Sequence, residues 1–356
     1  MNLEGIKVDQ KASFANFVYP FLFKAEESFM RIEAIEHAQW KGKDRPFTVW
    51  KHQSFPEDDL LSHVANYLNP REVTEPTARL WKLESDVLQS PYGLGSQAEW
   101  SLITPHGEIA FGIEDVRLTL FRVGVGFITI CAKLTKVELN SWLDLLHYFR
   151  FSWGKRKVAV QAKRRTGIDP QTRGPILSAY FPEITGGIAR HPEGKGVLGE
   201  IIDALLETGK IEKESKAWWS EVFVPGQLVP FTGLFVDGLP EQEIYPLVYK
   251  VRNFFHAHQE IHPTPEDLLP NNTGMLPYAK WQWFVFSLDG GGFVACNAPS
   301  TPFFRETLTG HLLDQYFLLF LLALHQRFAL MMLSEDVAKH WLTGNDREQL
   351  VSGLEI

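Results

Sequence analysis

"RLTLFRVGVGFITICAK", residues 117–133, is two β-rich runs meeting at Gly124-Val125-Gly126. Leu, Thr, Phe and Val in the first run and Val, Phe, Ile and Thr in the second fit a pleated, half-buried surface, so the stretch reads as a hairpin. Upstream, SLITPHGEIAFGI (101–113) repeats the pattern around Pro105-His106-Gly107. Downstream, VELNSWLDLLHYFRF (137–151) sets Leu139, Trp142, Leu143, Leu146 and Phe149 on one helical face. The first half therefore closes as strand, turn, strand, helix.

The same order recurs near the end of the chain. KWQWFVFSLDGGGFVACNA (280–298) reads as strand, Asp289-Gly-Gly-Gly turn and strand, and a long helix follows from about Thr307 to Leu333. The two closing helices even share a fragment, LHYFRF (146–151) beside LHQRF (324–328). The expected fold is α/β (α+β): two hairpin-plus-helix halves with a long apolar C-terminal helix, an order that fits either an internal duplication or the common recurrence of hairpins and helices in unrelated α/β proteins. The expected division is 1–153 for the N-terminal half, 154–178 for a basic linker or loop, and 179–356 for the C-terminal half. Within this frame, 56–69 and 196–209 are expected helices, and the Pro and Gly spacing of 226–238 suits short edge strands. Residues 241–261 fit helix and strand equally.

Lys plus Arg number 35 against 43 Asp plus Glu, a net charge of −8, which argues against duplex DNA as a partner of the whole surface. Cys131 and Cys296 lie in apolar runs, ITICAK and FVACNA, that read as strands, so buried free thiols and a reducing compartment are expected. The start, MNLEGIKVDQKASF, has no charged segment leading into an apolar run, so a cytoplasmic chain is expected and the sequon at Asn271 is without consequence.

Two clusters could carry chemistry. In FFHAHQEIHP (254–263), His256, His258, Glu260 and His262 occupy consecutive alternate positions. On a strand they would share a face, and imidazoles with a carboxylate are ligands that zinc or iron prefers, so the row is a candidate divalent-metal site of a metal-dependent enzyme. On a helix the pairs would point apart, and the bland reading is a solvated, His-rich element end before Pro263. In GKRKVAVQAKRRTGIDPQTRG (154–174), Lys155, Arg156, Lys157, Lys163, Arg164, Arg165 and Arg173 face one acid, Asp169. Such a patch suits phosphate, RNA or an anionic membrane surface, or serves only to keep an exposed loop soluble.

Other chemistry lacks its residues. Gly194-Lys195 is followed by Gly196 where a P-loop needs Ser or Thr, and Ala189 stands where its first Gly belongs. No Gly-x-Ser-x-Gly elbow and no Cys-x-x-Cys pair occurs.

HLLDQYFLLFLLALHQRFALMML (311–333) is the most hydrophobic stretch, but Asp314 and His325-Gln326-Arg327 interrupt it short of the roughly 20 apolar residues that a bilayer demands. A helix apolar nearly all round is buried, in the core or against copies of itself, so a homo-oligomer through 312–333 is expected. The C-terminal DREQLVSGLEI reads as helical and ends without a cap, as a piece of a longer protein would. An α/β part rich in short strands feeding into YFLLFLLALHQRFALMML resembles the cytoplasmic part of CorA-type divalent-cation transporters over the last third of the chain. The family's Gly-Met-Asn signature is not matched, since Gly274-Met275 is followed by Leu276. The resemblance implies a cytoplasmic module of a larger assembly. The expected function is a non-catalytic structural, regulatory or oligomerising module, with metal-dependent catalysis and phosphate or RNA binding as the alternatives.

Overall fold

The computed structural model describes residues 3, 5–41, 46–56, 60–68, 77–89, 94–95, 100–135, 138–151, 159–162, 197–211, 216–222, 227–261, 263–264, 266–268 and 274–343. The first half contains β1 (Lys7–Val8), β2 (Phe14–Phe23), α1 (Ser28–Glu36), β3 (Gln39–Lys41), β4 (Pro46–Thr48), β5 (Trp50–Gln53), α2 (Ser62–Leu68), β6 (Ala78–Leu83), α3 (Ser85–Leu88), β7 (Trp100–Thr104), β8 (Gly107–Phe121), β9 (Val125–Leu134) and α4 (Leu139–Tyr148). Then come β10 (Ala159–Ala162), α5 (Val197–Glu207), β11 (Trp219–Glu221), β12 (Val229–Asp237), α6 (Glu241–Arg252), β13 (Met275–Ala279), β14 (Gln282–Ser287), β15 (Gly290–Cys296), α7 (Leu308–His311) and α8 (Phe317–Thr343). Two π-helical turns, Phe303–Thr307 and Leu312–Tyr316, join α7 into one helical run with α8.

Thirteen of the strands form one mixed sheet with the central order β10-β7-β8-β9-β2-β12-β15-β14-β13. The α/β class and the long apolar final helix are as the sequence implies, and both halves contribute to this single sheet. The two expected hairpins at 101–113 and 117–133 share their middle strand. β8 pairs with β7 through its first residues and with β9 along most of its length. A bulge between Ile113 and Asp115 makes the sharing workable. One extra residue reverses the alternation of side chains, so Ile109, Phe111 and Ile113 face the same layer as Val116, Leu118 and Leu120. At the β8–β9 turn Gly124 has φ +91°, and a Cβ there would meet the Phe23 carbonyl.

The sheet has a helical layer on each face. On one, Leu143 and Leu146 of α4, Ile201 and Leu205 of α5, and Leu247 and Val251 of α6 pack on Phe17, Ile130 and Leu234. On the other, Phe317, Leu321, Leu324 and Phe328 of the last helix cover Val18, Phe127, Phe231 and Phe293. Period two along each strand sorts its residues between the layers. In β2, Ala15, Phe17, Tyr19 and Phe21 go one way, and Phe14 and Val18 the other.

Several expectations need correction. Residues 226–238 hold β12, a central strand between antiparallel β2 and parallel β15, rather than an edge strand. Its Pro230 pairs with Phe17 of β2 one residue before pairing to β15 begins at Phe231, so the missing N–H falls at the end of a ladder. The expected glycine turn after Asp289 is strand instead: Gly290 and Gly292 belong to β15, where a Cβ would run into the Pro230 and Thr232 carbonyls of β12. The helix expected over 56–69 is described as Ser62–Leu68, and the stretch 154–178 contains β10, which pairs with β7. The likeness of the halves stops at the hairpin and helix. β9 runs antiparallel to β2, whereas β15 runs parallel to β12. Cys131 and Cys296 are buried free thiols, as their strands imply, and burial pushes both up to about 12.

Candidate functional site

The histidine row follows α6 and is not a strand. The helix ends at Arg252, the Asn253 side chain donates to the Tyr249 carbonyl at 2.9 Å, and Phe254 takes a left-handed φ of +51°. Residues 255–261 continue as turn and coil, an element end, so the face that a strand would give His256, His258 and Glu260 does not form. His262 lies outside the described residues, as do Lys155, Arg156, Lys157, Lys163, Arg164, Arg165 and Arg173.

This loop is wound around an ammonium group. Lys250 Nζ, from the last turns of α6, donates to the carbonyls of His256 at 3.4 Å, Ala257 at 2.6 Å and Gln259 at 3.0 Å. Burial draws the Lys250 pKa down, and the Asp144 carboxylate opposes that shift. Asp144, on α4, also accepts the Ala257 amide at 2.7 Å through Oδ1. An ammonium from one helix and a carboxylate from another thus clamp the same peptide, satisfying backbone groups that no regular element pairs.

The clamp gathers four imidazoles from three parts of the chain. His106 comes from the β7–β8 turn, His147 from α4, and His256 and His258 from the loop. The His256 ring centre lies 5.1 Å from His106, 5.0 Å from His147 and 5.4 Å from the Tyr148 ring. The His258 ring lies 4.4 Å from His106, and its Nε2 is 3.9 Å from Asp144 Oδ2. His147 Nδ1 meets the Phe254 carbonyl at 2.7 Å, which makes Nδ1 the protonated nitrogen because a carbonyl can only accept. His256 Nδ1 is buried without a hydrogen-bond partner, and burial, with His147 next in size, lowers its pKa to about 4. His256 is therefore neutral at pH 7 and able to donate a lone pair. As the rings stand, His106 stacks on His256, His258 is tilted to His106 and His147 is edge-on to His256, and among the described residues no three His, Cys, Asp or Glu converge as metal ligands. A cavity of about 500 Å³ opens beside the cluster, lined by His147, His256, Gln227 and Asn253, with Arg150 and Asp289 paired at 3.1 Å.

No sequence period could have brought His106 and His147 into the candidate set. They reach the loop through the β7–β8 pairing and the packing of α4, both long-range.

The second candidate is the outward face of α8. Its inner face is packed on the sheet, with His325 among the buried residues and stacked on Phe121 at 4.1 Å between ring centres. The outer face carries Leu319, 45% exposed, Leu330, 65%, and Leu333, 39%. Leu319, Ala323, Gln326, Leu330 and Leu333 are all exposed and alternate spacings of four and three residues, the seam of a coiled coil. The helical run Phe303–Lys339 is long and apolar enough to cross a membrane by length and composition.

No protein-family model matches this chain, and neither does any curated protein or solved structure.

Proposed function

We propose that the chain is a non-catalytic module that self-associates through the outer face of α8. The observation carrying this reading is the Leu319–Leu333 seam on a helix whose opposite face is already committed to the core. Full burial of an exposed leucine contributes about 1.5–3 kcal/mol, and Leu319, Leu330 and Leu333 would each gain the share set by their remaining exposure, so together they have the driving force of a helix–helix interface. A second copy of the same helix is the partner whose spacing matches, and Gln326 at the central seam position would favour one register, as a polar residue does in coiled coils. The shared element order with the cytoplasmic part of CorA-type transporters supports a regulatory part in a larger assembly on the cytoplasmic side of a membrane.

The test is the light-scattering mass of the full chain over a range of concentrations. The expected result is a mass above one chain that returns to one chain in Leu319→Glu/Leu330→Glu. A wild-type mass of one chain at every concentration, or an oligomer indifferent to both substitutions, overturns the proposal. Uptake of the wild-type helix into lipid vesicles in place of a soluble oligomer also overturns it, and assigns the seam to a bilayer.

A further inference from the structure

We infer that His106, His256 and His258 form a site for a single transition-metal ion of the zinc, copper or nickel type, linking the β7–β8 turn to the loop after α6. The site differs from the contiguous row in the sequence: it takes His106 from the other half of the chain and does not use Glu260 or His262.

Spacing is the first argument. Two imidazoles on one tetrahedral zinc, each with a metal–nitrogen distance of about 2.0–2.1 Å, have ring centres about 5 Å apart. The His106–His256 separation is 5.1 Å and His106–His258 is 4.4 Å. Both rings paired with His106 stand at the separation that shared coordination requires, and to share one ion the three rings must turn their nitrogens toward a common point. His106 sits on an exposed turn and the His258 side chain is 54% exposed, so both can rotate without disturbing the core. His256 is the fixed member, held between His106, His147 and Tyr148, with a buried Nδ1 that has no hydrogen-bond partner. A buried ring nitrogen without a partner is costly unless a ligand takes it up.

Charge decides which ion fits. Asp144 lies 3.9 Å from His258 and can orient that ring as carboxylates orient metal-bound histidines. The Lys250 ammonium is held against the carbonyl of His256 in the same loop and offsets the Asp144 charge. With one carboxylate balanced by one ammonium, attraction for a cation rests on imidazole nitrogen rather than on negative charge. Such a site selects metals that prefer nitrogen and rejects magnesium and calcium, which require oxygen ligands.

The experiment is a calorimetric titration of the full metal-free chain with zinc chloride, repeated in a large excess of magnesium. One zinc per chain is expected, undisturbed by magnesium, weakened at least about tenfold in both His106→Ala and His258→Ala, and retained in His262→Ala. Absence of binding, competition by magnesium, or binding that survives in both His106→Ala and His258→Ala overturns the site. Loss in His262→Ala with His106→Ala unaffected also overturns it, in favour of the contiguous row. Because a variant can misfold, cobalt(II) added to the wild-type chain provides a separate reading: the strong visible absorption of a low-coordinate nitrogen site is expected, and a spectrum unchanged from aqueous cobalt overturns the proposal.

Discussion

Lys250 Nζ donates to the Ala257 carbonyl at 2.6 Å, so the ammonium of α6 does for the following loop what a bound cation does in other proteins. Replacing it with methionine keeps the aliphatic stem and leaves the carbonyls of His256, Ala257 and Gln259 without their charged donor. Lys250→Met should lower stability by about 1.5–3 kcal/mol in urea denaturation, the range for hydrogen bonds to a charged group. A loss below about 0.5 kcal/mol would mean that the loop is held by other contacts.

His325 is a buried base whose two ring nitrogens have no hydrogen-bond partner, and burial lowers its pKa to about 4. Its unfolded pKa is about 6.5, so between these values the unfolded chain binds the extra proton. Stability is therefore lost as pH falls from about 6.5 to about 4, and His256 adds to the loss over the same window. His325→Phe keeps a ring on Phe121 and removes both the unpaired nitrogens and the proton. The variant should be more stable at pH 7 by about 1–3 kcal/mol and should lose less stability between pH 7 and pH 5. Denaturant melts of both proteins at the two pH values measure this, and equal pH dependence in the two would refute it.

Gly124 closes the β8–β9 turn with a left-handed φ, and a Cβ there would collide with the Phe23 carbonyl of the neighbouring strand. Gly124→Ala carries both backbone strain and that collision, for a loss of about 2–4 kcal/mol. Alanine at Gly112, where a Cβ meets nothing within 4 Å, provides the comparison and should cost much less.

The two faces of α8 should respond differently. Phe328 is buried against the sheet, and Phe328→Ala should cost about 3–5 kcal/mol in unfolding of the single chain. Leu330, two residues on, is exposed, and Leu330→Glu should leave the unfolding of a dilute, monomeric sample within about 0.5 kcal/mol. Only the second substitution should act mainly on mass, measured by light scattering as concentration rises.

The sequence was most legible where pattern is local. The hairpins around Gly124 and Asp289 and the amphipathic face of α4 announce themselves over a few residues of period two or period three and four. β2 was not read at all. Its run FANFVYPFLF has almost no polar alternation because both faces are buried, and Pro20 reads as a break. In the structure Pro20 falls between the stretch paired with β12, which ends at Val18, and the stretch paired with β11, which begins at Phe21. β12 was placed at an edge for a similar reason, since Pro230 and Gly233 look like strand breakers until Phe14 is seen packed over Gly233. The candidate metal residues were half legible: the loop histidines stand together in sequence, but the alternate spacing makes one face only on a strand, and the end of α6 and the left-handed Phe254 put a loop there. His106 and His147 join them by tertiary packing alone.

β2 sets the order in which the molecule can assemble. Ala15 pairs with Ala132 on one side and with Thr232 on the other, so the strand that leaves the ribosome early has to wait for two partners made much later. Until then a strand of five aromatic residues has both hydrogen-bonding edges and both faces unprotected. Contacts this distant slow folding and leave sticky intermediates exposed. During synthesis this segment stays open to mispairing until β9 and β12 have followed it.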